Sequence, residues 1–513
     1  MKITVRPGGI AQTSSECIIL GIYEGERSLE EPARVVDRAS AGMLQEIMQS
    51  GDFKGERYRS FLLYKPREIV ARRIMLVGLG KRKDCTLDKI RGAAAQGARA
   101  VRDLGLHELL MPATFARIPG VPQTGIIRAL AEGVMLGLYA FDEFKTTNER
   151  KKKNVIEAVT ILVENAQELQ AARDAARKAA IIARAVQVVR DLVSRPANSA
   201  TPAFMARTAK TIAKTSGLVC TVLSPSQAKK LGMGCFLGVA QGSREPAQFI
   251  VLEYVPAKAQ HADTIVLVGK AITFDSGGSS LKPARGMERM KDDMSGGAAV
   301  LGIMQAAAQL KIPLRVIGIV PATENLPGGA ALKPGDVITS LSGKTVEIIT
   351  TDAEGRLILA DALAYAQRYK PHAIIDLATL TGACITALGN DVAGVMGTDE
   401  QLINKIKEAA AATSEKIWQL PLWDEYSELL KSDIADIKNA AGRDAGAITG
   451  GCFLKEFTGK TPWVHLDIAG PAWTEKDRPY LPKGATGFGV RLLVHVLENW
   501  GKKGYIKGEK VNR

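Results

Sequence analysis

Residues 166–195, AQELQAARDAARKAAIIARAVQVVRDLVSR, contain neither glycine nor proline and are rich in Ala, Arg, Glu and Leu. Apolar residues recur at helical spacing through Ile182, Ala185, Val186 and Val189, and Pro196 follows directly. The pattern predicts one long helix, ended by a residue without the backbone donor needed to continue it. At 1.5 Å per residue it would span about 45 Å, enough to bridge two domains. It therefore divides the 513 residues into an N-terminal domain, 1–165, a linking helix, 166–195, and a C-terminal domain, 196–513.

Both flanking parts alternate buried strands with helical patterns. Before the helix, IMLVGLG (74–80) and AVTILVEN (158–165) read as buried strands, and LDKIRGAAAQGARAVRDLG (87–105) as a helix stopped by Gly105. The first residues, MKITVRPGGIAQTSSECIILGIYEGE, read as strand, turn and strand. After the linker, Thr201-Pro202 opens a helix with Thr as cap and Pro in the first turn. TIVLVG (264–269), LRVIGIVPA (314–322) and AIIDLATL (373–380) are further buried strands, with helices near 295–310 and 356–368. The expected class is α/β: two domains, each with a mainly parallel or mixed sheet flanked by helices, joined by the long helix.

Composition sets the limits of function. Hydrophobic residues at 46% and charged residues at 24% are those of an ordinary globular protein. The six cysteines form no C-x-x-C pair, which argues against a thiolate zinc ribbon and a disulfide framework and for a reducing compartment. No signal-peptide core opens the chain and no stretch approaches about 20 apolar residues. A cytoplasmic protein with no membrane partner is expected. Net charge is +14. Residues 51–100 hold 13 basic and 5 acidic residues, a net of +8, and the tail GKKGYIKGEKVNR adds 5 against 1, a net of +4. Such an excess suits either a solvated surface or a face for nucleic acid.

Chemistry concentrates in two short blocks. In VGKAITFDSGGSSLKPARGMERMKDDM (268–294) an apolar strand delivers Lys270 and then Asp275, with Lys282 and Asp293 following. In TTDAEGRLILADAL (350–363) Asp352 suits the cap of a helix and Glu354 its first turn, with Arg356 next. Alone, DSGG reads as a turn, Lys282 as a surface lysine and the second pair of acids as a helix cap. Together, Asp275, Asp293, Asp352 and Glu354 carry −4, and burying that charge unpaired is very costly. Two divalent cations would cancel it, and carboxylate-bridged metal pairs are a known device for hydrolysis. The five histidines lack H-E-x-x-H spacing, so the ligands would be mainly oxygens.

VGKAITFDSGGSSLKP, MKDDMSGGAAV and TTDAEGRLILADAL resemble the signature blocks of the leucyl (cytosol) aminopeptidase family. RDLVSRPANSATP (190–202), GMGCFLGVAQGSREP (232–246), DLATLTGAC (376–384) and HLDIAGPAW (465–473) are similar to it as well. The likeness spans residues 190–500 and is weaker in the N-terminal third. It implies a metal-dependent aminopeptidase that releases N-terminal residues, Leu and other apolar ones preferred, from peptide substrates. By resemblance, Lys270, Asp275, Asp293, Asp352 and Glu354 hold two divalent metal ions per chain. The ions would be Mn2+ or Zn2+, with Mg2+ as a further candidate. Asp275 and Glu354 would bridge them, Asp352 would serve one, and Lys270 and Asp293 the other.

The same resemblance makes Lys282 and Arg356 the catalytic pair, with bicarbonate at Arg356 as general base. Lys282, Met290, Thr379, Leu380 and Gly382 would bind substrate, and the assembly would be a homohexamer. A lysine can ligate a metal only as the neutral amine, and buried lysines shift readily. Arginine stays charged and suits a planar anion. The family's usual Asn before Thr-Asp is Thr350 here and its Gly after the first lysine is Ala271. Ser295 and Pro471 stand where other small residues are common. None of these is an implied ligand, so the departures bear on pocket shape and rate.

Overall fold

The computed structural model describes residues 1–26, 28–146, 155–257 and 262–501. The basic tail beyond 501 and His261 lie outside them. The chain separates into two compact units. The first comprises Met1–Arg184 and Lys476–Lys483; the second runs from Ala185 to Glu475 and resumes at Gly484. The long helix is Leu169–Ser194, preceded by a 3-10 turn at Ala166–Glu168, and the division falls within it. Ile182, Ala185, Val186 and Val189 are buried.

The first unit is built on six strands: β1 (Lys2–Pro7), β2 (Ile18–Tyr23), β3 (Ser60–Tyr64), β4 (Arg73–Gly80), β5 (Glu108–Pro112) and β6 (Ala158–Val163). Their order is β1-β6-β5-β2-β4-β3, parallel except for β3. Ile19 and Val77 on one sheet face share a core with Ala93, Ala94 and Ala98 of the helix Leu87–Asp103 and with Leu130 and Val134 of Gln123–Gly137. Small helix residues let the backbones approach closely; the Thr86 hydroxyl accepts from Lys89 N at 3.3 Å and caps the first helix.

The second unit holds a nine-stranded mixed sheet, and its strands are β7 (Val219–Leu223), β8 (Gln248–Tyr254), β9 (Thr264–Gly269), β10 (Ala271–Asp275) and β11 (Arg315–Asn325). A small separate sheet joins β12 (Val337–Thr339), β13 (Thr345–Glu347) and the later β17 (Ile437–Lys438). The main sheet continues with β14 (Ala373–Ala378), β15 (Ala393–Gly397), β16 (Ile417–Gln419) and β18 (Trp463–Asp467). Its order is β16-β15-β18-β14-β9-β11-β8-β7, with β10 paired to β11. The central strands β18, β14, β9 and β11 run parallel. They are largely apolar because both faces are covered, with Asp376 of β14 and His465 of β18 as a buried polar pair. Val266, Val268 and Ile319 share a core with Leu357, Ile358 and Leu359 of the helix Glu354–Ala366. On the other face Met304 of Ser295–Leu310 lies against Gly318, and Gly302 of that helix against Val189. Thr201 caps the helix Pro202–Ser216, accepting from Phe204 N at 3.3 Å.

All six cysteines are free thiols. No helix among the described residues is long and apolar enough to cross a membrane.

Candidate metal centre

The parallel strands end together at one edge, and the segments that leave them carry the charged residues. Lys270 follows β9, Asp275 ends β10, and Asn325 ends β11. Ala378 ends β14, with Thr379 next, and Asp467 ends β18. The carboxyl edge of a parallel sheet is where α/β proteins bind ligands. Asp293 arrives from the 3-10 turn Met287–Asp292, just before the helix Ser295–Leu310. Glu354 is the first residue of its own helix.

Asp275, Asp293 and Glu354 converge, each offering a carboxylate oxygen within 4.8 Å of the others. All three are buried, as is Lys270. Lys270 Nζ lies 2.8 Å from Asp293 Oδ2 and 2.8 Å from Glu354 Oε1 and donates to Thr379 O at 3.0 Å. Lys282 Nζ lies 2.8 Å from Asp275 Oδ2 and is also paired with Asp352. The six side chains thus form one cluster with two ammonium groups at its centre.

Two glycines make this packing feasible. A Cβ at Gly355 would stand 2.5 Å from Lys270 Cε, so only glycine lets the lysine pass beneath the first helical turn. Gly277 has φ +88°, which turns the chain directly after Asp275.

The electrostatics is frustrated. Burial pushes the Asp275 carboxyl up to about 6, with Glu354 adding repulsion and the two lysines opposing it. Burial likewise holds Asp293 well above the usual range, against Lys270. Glu354 is also disfavoured by burial, but Lys270 and Lys282 prevail and keep it ionised. Burial alone would lower both lysines; the surrounding acids hold them above the ordinary value. Two oxygens lack full partners as well. Glu354 Oε2 is buried with no hydrogen bond, and Asp293 Oδ2 meets Lys270 only as an ion pair, outside hydrogen-bond geometry. Unpartnered buried anionic oxygens around a shared centre fit divalent cations, which the chemistry of this donor set accommodates.

The structure departs from expectation at Asp352. It does not cap the helix: Ala353 is the residue before the first turn and no side chain caps it. Asp352 instead turns to Lys282, and its side chain is 38% exposed. Ion pairing with the lysine outcompetes the short-range capping bond.

Arg356 is buried, and Nη1 donates to Asn439 O at 2.8 Å, while Nε has no partner. Burial lowers its pKa to about 10. Thr379 is half-buried and donates from Oγ1 to Asp293 Oδ1 at 2.7 Å. Met290 and Leu380 are half-buried, Leu380 near Gly450, and Gly382 is exposed at the start of the helix Gly382–Leu388.

Several buried polar groups escaped the sequence reading. Asn325 Nδ2 donates to Asp275 Oδ1 at 2.8 Å and to Thr351 O at 3.0 Å. Asn439 accepts from Ile349 N at 2.8 Å and donates to Thr350 O at 2.7 Å. Asp467 holds the segment after β14, accepting from Thr381 Oγ1 at 2.7 Å and Leu380 N at 3.2 Å. His465 is a core residue paired with Asp376 at 2.6 Å. The available signal was position: Asn325 and Asp467 are polar residues at the carboxyl ends of largely apolar strands.

Comparison with known proteins covers nearly the whole chain. Residues 187–494 match the model described as "Cytosol aminopeptidase family, catalytic domain", and residues 19–148 match the corresponding N-terminal domain. A protein of Geotalea uraniireducens (strain Rf4), named "Probable cytosol aminopeptidase", is 50% identical over 90% of this chain and 92% of its own. One of the same name from Geobacter sulfurreducens (strain ATCC 51573 / DSM 12127 / PCA) is 47% identical over 97% and 99%. Among solved structures, a tomato leucine aminopeptidase mutant superposes with TM-score 0.87 at 34% identity, covering 97% of this chain and 96% of that one. The bottromycin maturation enzyme BotP in complex with Mn gives 0.84 at 33%, covering 94% and 99%.

Proposed function

This chain belongs to the cytosol aminopeptidase family and is a peptidase, a hydrolase; on that premise we propose that it removes N-terminal residues from peptides with two divalent metal ions, Leu and other apolar residues preferred. The observation that carries the reading is the buried carboxylate cluster with its incompletely partnered oxygens. Lys270, Asp275, Asp293, Asp352 and Glu354 would hold the ions, Asp275 and Glu354 between them, Asp352 with one, and Lys270 and Asp293 with the other. Mn2+ is the first candidate, since a structural relative is named as a Mn complex; Zn2+ and Mg2+ are the alternatives.

Bound divalent ions supply a water of lowered pKa, a Lewis acid for the peptide carbonyl and an anchor for the free amino group. The rest falls to the protein. Lys270 would serve as a ligand only as the neutral amine, giving up its proton to solvent when the ions bind. Lys282, which lies beside Asp275 and Asp352, would serve as an ammonium and stabilise the negative charge that develops on the carbonyl oxygen. Arg356 presents an unpartnered buried Nε–H to a planar anion; bicarbonate there would stand as general base. Met290, Thr379, Leu380 and Gly382 would line the pocket for the first side chain, with Met290 as its adaptable wall. The catalytic domain would assemble into a homohexamer.

The test is metal analysis beside turnover of a leucine anilide. Close to two divalent ions per chain, and loss of turnover in Asp275→Ala and Glu354→Ala, are expected. Undiminished turnover by metal-free protein would refute the reading.

A second reading, nucleic-acid binding by the first unit, rests on the net +8 of residues 51–100. Part of that charge is internally engaged. Arg82 pairs with Glu26 and Glu30 and stacks on Tyr23, and Arg59 pairs with Glu56. Arg57, Arg72, Arg73, Lys81 and Lys83 would supply the phosphate contacts. Retention of DNA on filters at about 50 mM salt, falling steeply as salt rises, supports it; no retention at that salt rejects it.

A further inference from the structure

We propose that Asn325 is the positioning residue of the metal centre: its side-chain amide sets the orientation of the Asp275 carboxylate and ties the two ligand-bearing loops together. The inference rests on the two-metal reading above and extends it to a residue that is not itself a ligand.

Asn325 is the last residue of β11, at the sheet edge, and it is buried. Its register partner across the sheet is Asp275 itself, after an irregularity that begins at Ile272. Its backbone and side chain act on both loops. The carbonyl accepts from Ser276 N at 2.9 Å and from Ser276 Oγ at 2.8 Å, fixing the turn after Asp275. Nδ2 uses both hydrogens, one on Asp275 Oδ1 at 2.8 Å and one on Thr351 O at 3.0 Å, next to Asp352. A Cβ at Gly278 would stand 2.7 Å from Asn325 Oδ1, so the loop folds closely over the amide.

The division of Asp275 is the consequence. Oδ1 takes two neutral donors, Asn325 Nδ2 and Gly277 N at 2.9 Å. Oδ2 faces the cationic centre, where Lys282 Nζ now lies at 2.8 Å. An amide donor is suited to this task, because it orients a carboxylate without competing for the charge that a metal must neutralise. An aspartate in the same place would offer only acceptors to two acceptors. Thr351 completes the frame, donating from Oγ1 to Gly277 O and accepting from Ser280 N at 2.8 Å. The strand that contributes no ligand therefore sets the spacing between the loops that do.

The experiment is a Mn2+ titration of the purified full-length chain after chelator treatment, for the parent, Asn325→Ala and Asn325→Leu, with thermal unfolding of each metal-free protein. Leucine fills a similar volume without a donor, so it serves if the alanine variant does not fold. Loss of such an outer partner weakens metal binding by about 10–100-fold, and that weakening is expected in either folded variant with little change in metal-free melting temperature. Affinity within about twofold of the parent in a folded variant overturns the proposal, since the expected loss is at least tenfold. So does failure of both variants to fold, or a loss of metal-free stability with unchanged affinity in the folded fraction, because each assigns Asn325 to folding alone. A parent chain that binds no Mn2+ would instead refute the two-metal reading.

Discussion

Gly355→Ala sets a local rule against a tertiary one. Alanine in place of a helical glycine gains up to about 1 kcal/mol by intrinsic propensity. The structure predicts the opposite outcome. The new Cβ would stand 2.5 Å from Lys270 Cε, 2.6 Å from Nζ and 2.7 Å from Cδ. Apolar contacts are comfortable at about 3.5–4.0 Å, so the lysine must retreat by about 1 Å. The end of a lysine is normally free to do so. Here it is buried and held at 2.8 Å by Asp293 and Glu354 and at 3.0 Å by Thr379 O. Overpacking of this kind costs about 1–3 kcal/mol, which at least cancels the gain of about 1 kcal/mol and leaves the variant up to about 2 kcal/mol less stable. The chemistry suffers more, since misplacement by about 1 Å can cost about 100-fold in rate. Urea unfolding, metal content and leucine anilide turnover measure all three. A variant as stable as the parent, with full metal and full rate, would refute the argument that Lys270 is confined.

The other predictions concern the lysines, a buried ion pair and assembly. Lys282→Ala should keep its metals and lose rate by about 2.7–4 kcal/mol, as when an oxyanion donor is removed, whereas Lys270→Ala should weaken metal binding; equal metal loss in the two would show the roles to be misassigned. For His465, burial lowers the pKa but Asp376 more than restores it, so the folded value lies above the ordinary one. Its contribution to stability is therefore complete below about pH 6.5 and disappears as pH rises through the folded value. The stability gap between parent and His465→Gln should then be larger at about pH 6 than at about pH 9 in urea unfolding, and a constant gap would contradict this. Light scattering should give six times the 54.9 kDa of one chain, and a monomer at working concentration would reject the hexamer.

The sequence by itself determined the elements whose cause is local. The helix Leu169–Ser194 follows from a long run free of breakers, and β9, β11 and β14 follow from predominantly apolar runs that double-sided burial explains. It also carried the charged residues of the centre, because motifs preserve spacing along the chain. Lys270, Asp275, Asp293 and Glu354 do converge. The partnership of Lys282 with Asp352, and hence the absence of a cap at Glu354, was decided by tertiary structure. The same holds for Asn325 beside Asp275, for Asn439 under Arg356 and for the pairing of His465 with Asp376. These contacts join residues that are 50, 83 and 89 positions apart, except for Lys282 and Asp352, which are 70 apart. Propensity and periodicity act over a turn or a strand and say nothing at such separations. Only the packing of parallel strands brings their carboxyl ends to one edge, and there the demand that every buried polar group find a partner selects which side chains meet.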